Sequence, residues 1–593
     1  MILEKTNRNK AKIGQAFLAL SILFIIALAI SACDVENAPA GRIPSPDWSR
    51  GLPITSNVGG TPDMLVQDGG RIVHFAWSTA ADDLGHIHYQ QRDAAVDVVV
   101  DLDLDLPEGR HRGPRIVPAG ENQVQLIWGL RIPGSRGWVL WQALLDPSGN
   151  FVGQPGPITP EEMHVGDYTV AHNQSGEAIV IWENDPAQGF WAVRMTADGL
   201  ASDPVQLTES GESPGAYLED DNTLHLTWLE ESAIQYAVFP AGETSQKDGQ
   251  AVANLQEMIA NIQDPVVGVA GDWVYVLWSV FARTGLESGT GWTEYVAFPR
   301  GELGPSKPTR VWMLTEEEQP YTAYDGAYEL TVLAPAVTSP ALTSNYILEP
   351  DVATGREKEL AVAVSTLQAF RLQEIVQTAV IIFNDGEFDG YEIAGKTDNF
   401  SQDGILQSDA EGYMYMAWRE GTGRDLFFAS TEPELRDQLN RYGGADFFLA
   451  LVGGGMEAVT GALFFPLALI WFVPGALLLG IWKLRRDFET VDDASSQILL
   501  VVAILLYQGT KFLFLPSITT YIPFSAWLDV PQGLGSMLRI MVPFITLGLG
   551  ILIAEITRRR RQEMSSVVYF FIACGIDALL TLMIYGVNLM GVL

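Results

Sequence analysis

Gly176–Trp182 reads GEAIVIW. Close relatives of this string recur as NQVQLIW at 122–128, NTLHLTW at 222–228, DWVYVLW at 272–278 and GYMYMAW at 412–418, with a looser copy, RIVHFAW, at 71–77. Apolar and polar residues alternate up to the closing tryptophan, which is the period of a strand and not of a helix. The closing residues Trp77, Trp128, Trp182, Trp228 and Trp278 are separated by 51, 54, 46 and 50 residues. A period of that length marks a repeat architecture.

A second strand follows most copies and closes on a glycine-containing turn, as in GWVLWQALLDPSG at 137–149, GFWAVRMTADG at 189–199, AIQYAVFPAG at 233–242 and TEYVAFPRG at 293–301. The rest of each period holds two more short strands. Four antiparallel strands per unit of about fifty residues is the pattern of a β-propeller blade. The recurring Trp77, Trp128, Trp182, Trp228, Trp278 and Trp418 are read as blade-packing residues, because a repeated aromatic buries area between neighbouring units. Between Trp278 and Trp418, KELAVAVST at 358–366 and QTAVIIFNDGE at 377–387 read as a blade without its Trp. This gives seven blades, with six to eight allowed and AYELTVLAP at 327–335 the candidate eighth. DLFFAST at 425–431 leaves no room for a last outer strand, so GLPITSN at 51–57 is expected to supply it and close the ring. The array, over roughly 45–432, resembles sialidase-like and kelch-like propellers in architecture. It lacks the Ser-x-Asp-x-Gly-x-x-Trp box of the first and the paired glycines of the second, so no residue inherits a catalytic role.

The 593 residues carry a formal net charge of −36, yet the mean hydropathy is +0.13. An acidic soluble part joined to an apolar membrane part reconciles the two. Such a charge excludes nucleic acid as a partner, which would require clustered Lys and Arg. The leader EKTNRNKAK is basic, AFLALSILFIIALAI is apolar, and ISAC at Ile30–Cys33 follows. That order resembles a bacterial lipobox, which implies cleavage before Cys33 and a lipid on it. The expected domains are a signal peptide at 1–32, a tether at 33–50, the propeller at 51–432, a linker with an interfacial helix at 433–458, and a four-helix transmembrane domain at 459–593.

The spans are read at 460–482, 496–516, 535–555 and 565–590, with Pro466, Pro474, Pro516 and Pro543 kinking or ending them. KLRR at 483–486 and RRRR at 558–561 place two loops in the cytoplasm and the propeller outside a bacterial cell membrane. Lys511 and Asp577 fall inside spans two and four at similar depth and are expected to form a membrane ion pair. In the propeller, Asp101, Asp103 and Asp105 alternate on one strand face, but a pleat sets them about 7 Å apart, so a charged edge strand is preferred to a calcium site. His86 and His88 share a face without a third ligand. No catalytic residues, metal site or cofactor are assigned, and the two cysteines, Cys33 and Cys574, make no disulfide framework.

Three functions remain open at this level. The first is a membrane-anchored binding or scaffold module for a glycan, peptide or envelope protein. The second is an extracytoplasmic glycan hydrolase, which would need paired carboxylates in the central pocket. The third is the sensor subunit of a membrane complex.

Overall fold

The computed structural model describes residues 47–586 apart from short segments, the longest being 283–289, 314–322, 330–345 and 515–531. The leader, the lipobox with Cys33 and most of the tether lie outside the described residues, as does Pro516. The chain divides into two compact units, one holding the strands and one holding the long helices.

The first unit is a seven-bladed β-propeller. Its inner strands are Asp63–Gln67, Arg110–Ala119, Val165–His172, Glu212–Leu218, Ala260–Ala270, Ile347–Val352 and Ser401–Ser408, one per blade. Each is adjacent to the inner strand of the next blade, and the last returns to the first. The Trp-bearing strands lie second in their blades, at Ile72–Ser78, Gln123–Arg131, Ala178–Asn184, Leu224–Glu230, Trp273–Ala282 and Met414–Glu420.

Trp77, Trp128, Trp182, Trp228, Trp278 and Trp418 are each at most 2% exposed. Each joins a core cluster with residues of the preceding blade. Trp128 packs with Ala76 and Tyr89, Trp228 with Ile179 and Ile181, and Trp77 with Ala417 and Phe428 across the ring closure. Blade 6 has no Trp in its second strand, Leu360–Phe370. Phe383, from the following strand, fills the gap against Tyr275 and Tyr295 at centroid distances of 5.4 and 4.8 Å.

Blade 7 takes its outer strand from the far end of the chain: Leu52–Thr55 pairs antiparallel with Asp425–Ser430. The residues leading into that strand are pinned as well. Trp48 donates its indole N–H to Glu392 at 2.7 Å. Arg50 donates to the carbonyls of Leu439 and Arg441, at the C-terminal end of helix α1 (Pro433–Leu439). Among the described residues no eighth blade forms. Ala327–Glu329, inside the candidate stretch, instead pairs with Glu387–Gly395 and widens blade 6 on its outer edge.

The second unit contains α2 (Gly444–Leu463), α3 (Phe465–Leu484), α4 (Ala494–Phe514), α5 (Gln532–Arg560) and α6 (Ser566–Tyr585). Among the described residues four stretches are long and apolar enough to cross a membrane: α3, Ala494–Leu513 of α4, Met541–Arg560 of α5, and α6. α2 is not among them; it stops one residue short of α3, and Pro466 occupies the first turn of α3, where a missing N–H costs nothing. α6 is the hub, packed by the other four. Glycines allow the closest crossings. A Cβ on Gly550 would lie 2.2 Å from the carbonyl oxygen of Ala573, and one on Gly461 would lie 2.0 Å from that of Leu582. Leu467, Ile470, Val473, Leu477 and Ile481 line the exposed side of α3, as expected of a surface solvated by lipid.

Candidate functional site

The seven inner strands converge on a central channel, and six of them share one irregularity. Their register shifts between Arg112 and Arg115, Val165 and Tyr168, Glu212 and Gly215, Gln263 and Val266, Leu348 and Asp351, and Gln402 and Ile405. Such a bulge favours a residue with positive φ, normally glycine. Blade 2 has Gly113 there, at φ 53°. Blades 4 to 7 have Ser213, Asp264, Glu349 and Asp403, at φ 54°, 52°, 59° and 53°. A non-glycine residue in that region stores strain of about 1 kcal/mol or more, and such strain collects at functional sites.

The bulges place side chains at the channel wall, around a cavity of about 440 Å³. Asp264, Asp403 and Asp167 line it, with Arg115, Asp63 and Asp351. Glu349 is tied into the same cluster. Its carboxylate accepts from the Ser365 hydroxyl at 2.7 Å and from the backbone N–H of Asp403 at 3.0 Å. Arg419 pairs with Asp403. Two further carboxylates bridge blades: Asp63 accepts from the N–H of Ile116 at 2.7 Å, and Asp351 from that of Leu406 at 2.8 Å. Tyr168 donates its hydroxyl to the carbonyl of Gly113.

The electrostatics follow from crowding acids into a confined space. Asp264 is open to the channel solvent yet walled by protein. Desolvation, and then the carboxylates of Glu349, Asp167 and Asp403, push its carboxyl up to about 6. Burial, opposed in part by the Leu406 N–H and Arg115, raises Asp351 to about 7. Burial and Asp403 raise Glu349, and burial outweighs Arg115 at Asp63. The wall thus gathers carboxyl groups that crowding and burial hold in their protonated form to higher pH than usual, Asp264 and Asp351 among them.

None of these acids was singled out in the sequence. A signal exists: a turn-forming residue, most often proline, precedes each Trp by thirteen to fifteen positions, as in Pro62, Pro114, Pro214 and Pro265, with Asp167 and Gly404 in the same place. The residue just before it is Thr, Gly, Ser or Asp, and at Gly113, Ser213, Asp264 and Asp403 it takes a positive φ that no shared side-chain chemistry announces.

The residues that were singled out fall elsewhere. His88 lies between Asp101 and Asp103, with Nε2 and Nδ1 each 2.7 Å from a carboxylate oxygen, so one imidazole spans the pleat that a single ion would not. Asp105 is exposed beyond the strand end, and His86 is exposed just ahead of its strand. Among the described residues no group of three or more His, Cys, Asp or Glu could hold a metal ion. In the helical unit Lys511 meets Asp577, with Nζ at 2.8 and 2.9 Å from the two oxygens and both side chains wholly buried. The Tyr507 hydroxyl donates to the same carboxylate at 2.6 Å, and Lys511 also donates to the carbonyl of Pro543 at 3.4 Å. The cluster thus joins α4, α5 and α6. Cys574 is buried and unbridged.

No protein-family model matches the chain, and no curated protein matches it. Solved structures are similar at low identity. A polysaccharide lyase matches with TM-score 0.37 and 11% identity, over 63% of this chain and 89% of its own. A glucose dehydrogenase matches with TM-score 0.33 and 10% identity, over 64% and 98%. An exo-β-1,3-galactanase from Phanerochaete chrysosporium matches with TM-score 0.29 and 10% identity, over 65% and 96%. A lyase, a dehydrogenase and a hydrolase share no chemistry, and likeness at this level assigns no activity here.

Proposed function

We propose that the chain is a membrane-anchored binding module whose propeller faces outward from a bacterial cell and takes a glycan or peptide ligand at the acidic end of its channel. The observation that carries this reading is the placing of Asp264, Glu349 and Asp403 at strained bulge positions of three consecutive blades, where glycine would sit without strain. Carboxylates crowded at a channel wall are costly unless something uses them as acceptors. Sugar hydroxyls or ammonium groups fit that role.

The orientation rests on charge. Lys483 ends α3, Arg558 to Arg560 end α5, and Arg558 pairs with Asp492 ahead of α4, which puts these termini on one side of the bundle. Clustered Lys and Arg favour the cytoplasm, so the propeller falls on the other side. Cys33 is the proposed lipid-bearing residue; mass spectrometry that finds the leader intact would remove this part of the reading.

Titration calorimetry of the full chain in nanodiscs against a panel of oligosaccharides and short peptides tests the site. At least one class binds, and Asp264→Asn with Glu349→Gln weakens it about tenfold or more, or about 1.4 kcal/mol. Binding that ignores both substitutions refutes the assignment. A second reading is favoured by Asp264, whose carboxyl is raised, lining the same cavity as Asp403: a pair of carboxyl groups is what a glycan hydrolase needs. Release of reducing ends in the same titrations would select it.

A further inference from the structure

We propose that the outer edge of blade 1 is a docking strand for an extended segment of a partner protein in which basic and apolar side chains alternate. The strand is Val98–Asp103, six residues long, whereas the outer strands of blades 2, 3 and 5 are two residues each. Among the described residues six large apolar side chains of the propeller are exposed, and three of them, Val98, Val99 and Leu102, are here, at 47%, 55% and 37%. Leu104, just past the strand, donates its N–H inward to Ile87. The pairing with Ile87–Asp93 carries a bulge at Val99; on either side of it Asp97 and Leu104 bond inward, so by antiparallel alternation Val98, Asp101 and Asp103 turn their N–H and C=O groups away from the sheet, and no described strand pairs with them. That is a free row of backbone donors and acceptors, the feature strand addition uses.

Charge selects the partner. Asp101 and Asp103 would ordinarily guard such an edge by projecting over it. Here His88 draws both carboxylates onto the sheet face, leaving the edge open and that face acidic. An added strand therefore meets the two carboxylates on one face, where Lys or Arg fits, and Leu102 on the other, where apolar side chains fit. The molecule itself uses outer edges this way twice. Blade 7 accepts Leu52–Thr55 from the other end of the propeller chain, and blade 6 accepts Ala327–Glu329.

The test uses the full chain in nanodiscs and a labelled, N-acetylated peptide of alternating lysine and valine, followed by fluorescence anisotropy. The alternating peptide binds, and a peptide with the same residues in two blocks binds about tenfold or more weaker. Val98→Pro removes an outward N–H without breaking a bond inside the sheet, and weakens binding by a similar factor; Val98→Thr keeps it within about twofold. Val98→Lys, on the face of Asp101 and Asp103, sets like charge against the peptide and reads the same contact without altering the backbone. The channel substitutions Asp264→Asn and Glu349→Gln leave it unchanged, so this proposal and the channel reading fail separately. Equal binding of the two peptides, no binding, or a self-association abolished by Val98→Lys would each overturn the proposal.

Discussion

Asp351 accepts an N–H from blade 7 while confined in the channel, and its carboxyl rises from an ordinary 3.8 to about 7. Between those values the folded chain holds a proton that the unfolded chain has released, so this group's contribution to stability falls as pH rises through the window. His74 and His172, lowered by burial to about 3 and about 4, act in the opposite sense below pH 6.5. The clean readout is a difference. Melting curves at pH 5 and pH 8 will show wild type losing more stability than Asp351→Asn, by on the order of 2 kcal/mol. Ser213 tests the strain directly. At φ 54° glycine fits without a clash, so Ser213→Gly raises stability by up to about 1 kcal/mol, measured by denaturant unfolding, even after the glycine's extra unfolded-state entropy. Ser213, Asp264, Glu349 and Asp403 were illegible in the sequence because what they share is a backbone angle. Trp128 and Trp228 were legible because the demand on them is for area, and one side chain meets it best.

Among the elements, α4 and α6 hold the sharpest test. Lys511 and Asp577 attract in a low dielectric, and either one alone is an unpaired buried charge. Asp577→Asn lowers the stability of the bundle in detergent, and adding Lys511→Met restores part of it, with a coupling of about 1 kcal/mol or more. Simple additivity of the two changes would show that the contact contributes nothing. This pair could be read from sequence because a charge inside an apolar span is rare enough to require a partner. Tyr507 could not, since a tyrosine in a span needs no explanation until its hydroxyl is seen on the carboxylate. Blade 6 shows the converse. Without a Trp its strands were placed only by alternation, and Phe383, which replaces the indole, lies one strand further along.

At the scale of the molecule, the ring depends on residues 47–58. Trp48, Ile54 and Val58 are buried there, and their burial alone contributes on the order of 5 kcal/mol. A fragment of residues 47–441 will melt cooperatively as an all-β protein by circular dichroism, whereas one starting at residue 59 will melt far lower and over a broader range. A helical spectrum from the first fragment would contradict the two-unit division. Closure by the N-terminal strand was legible because blade 7 runs out of chain after its third strand. The same arrangement sets a timetable during synthesis. Leu52–Thr55 leaves the ribosome early, but its partner Asp425–Ser430 is made some 370 residues later. At about 5–20 residues per second that delay is on the order of half a minute, through which six blades stand side by side with an unsealed seam at either end. The nascent chain is therefore most exposed to proteases and to mispairing just before its last propeller strand appears, and a chaperone that shields open sheet edges would act in that interval.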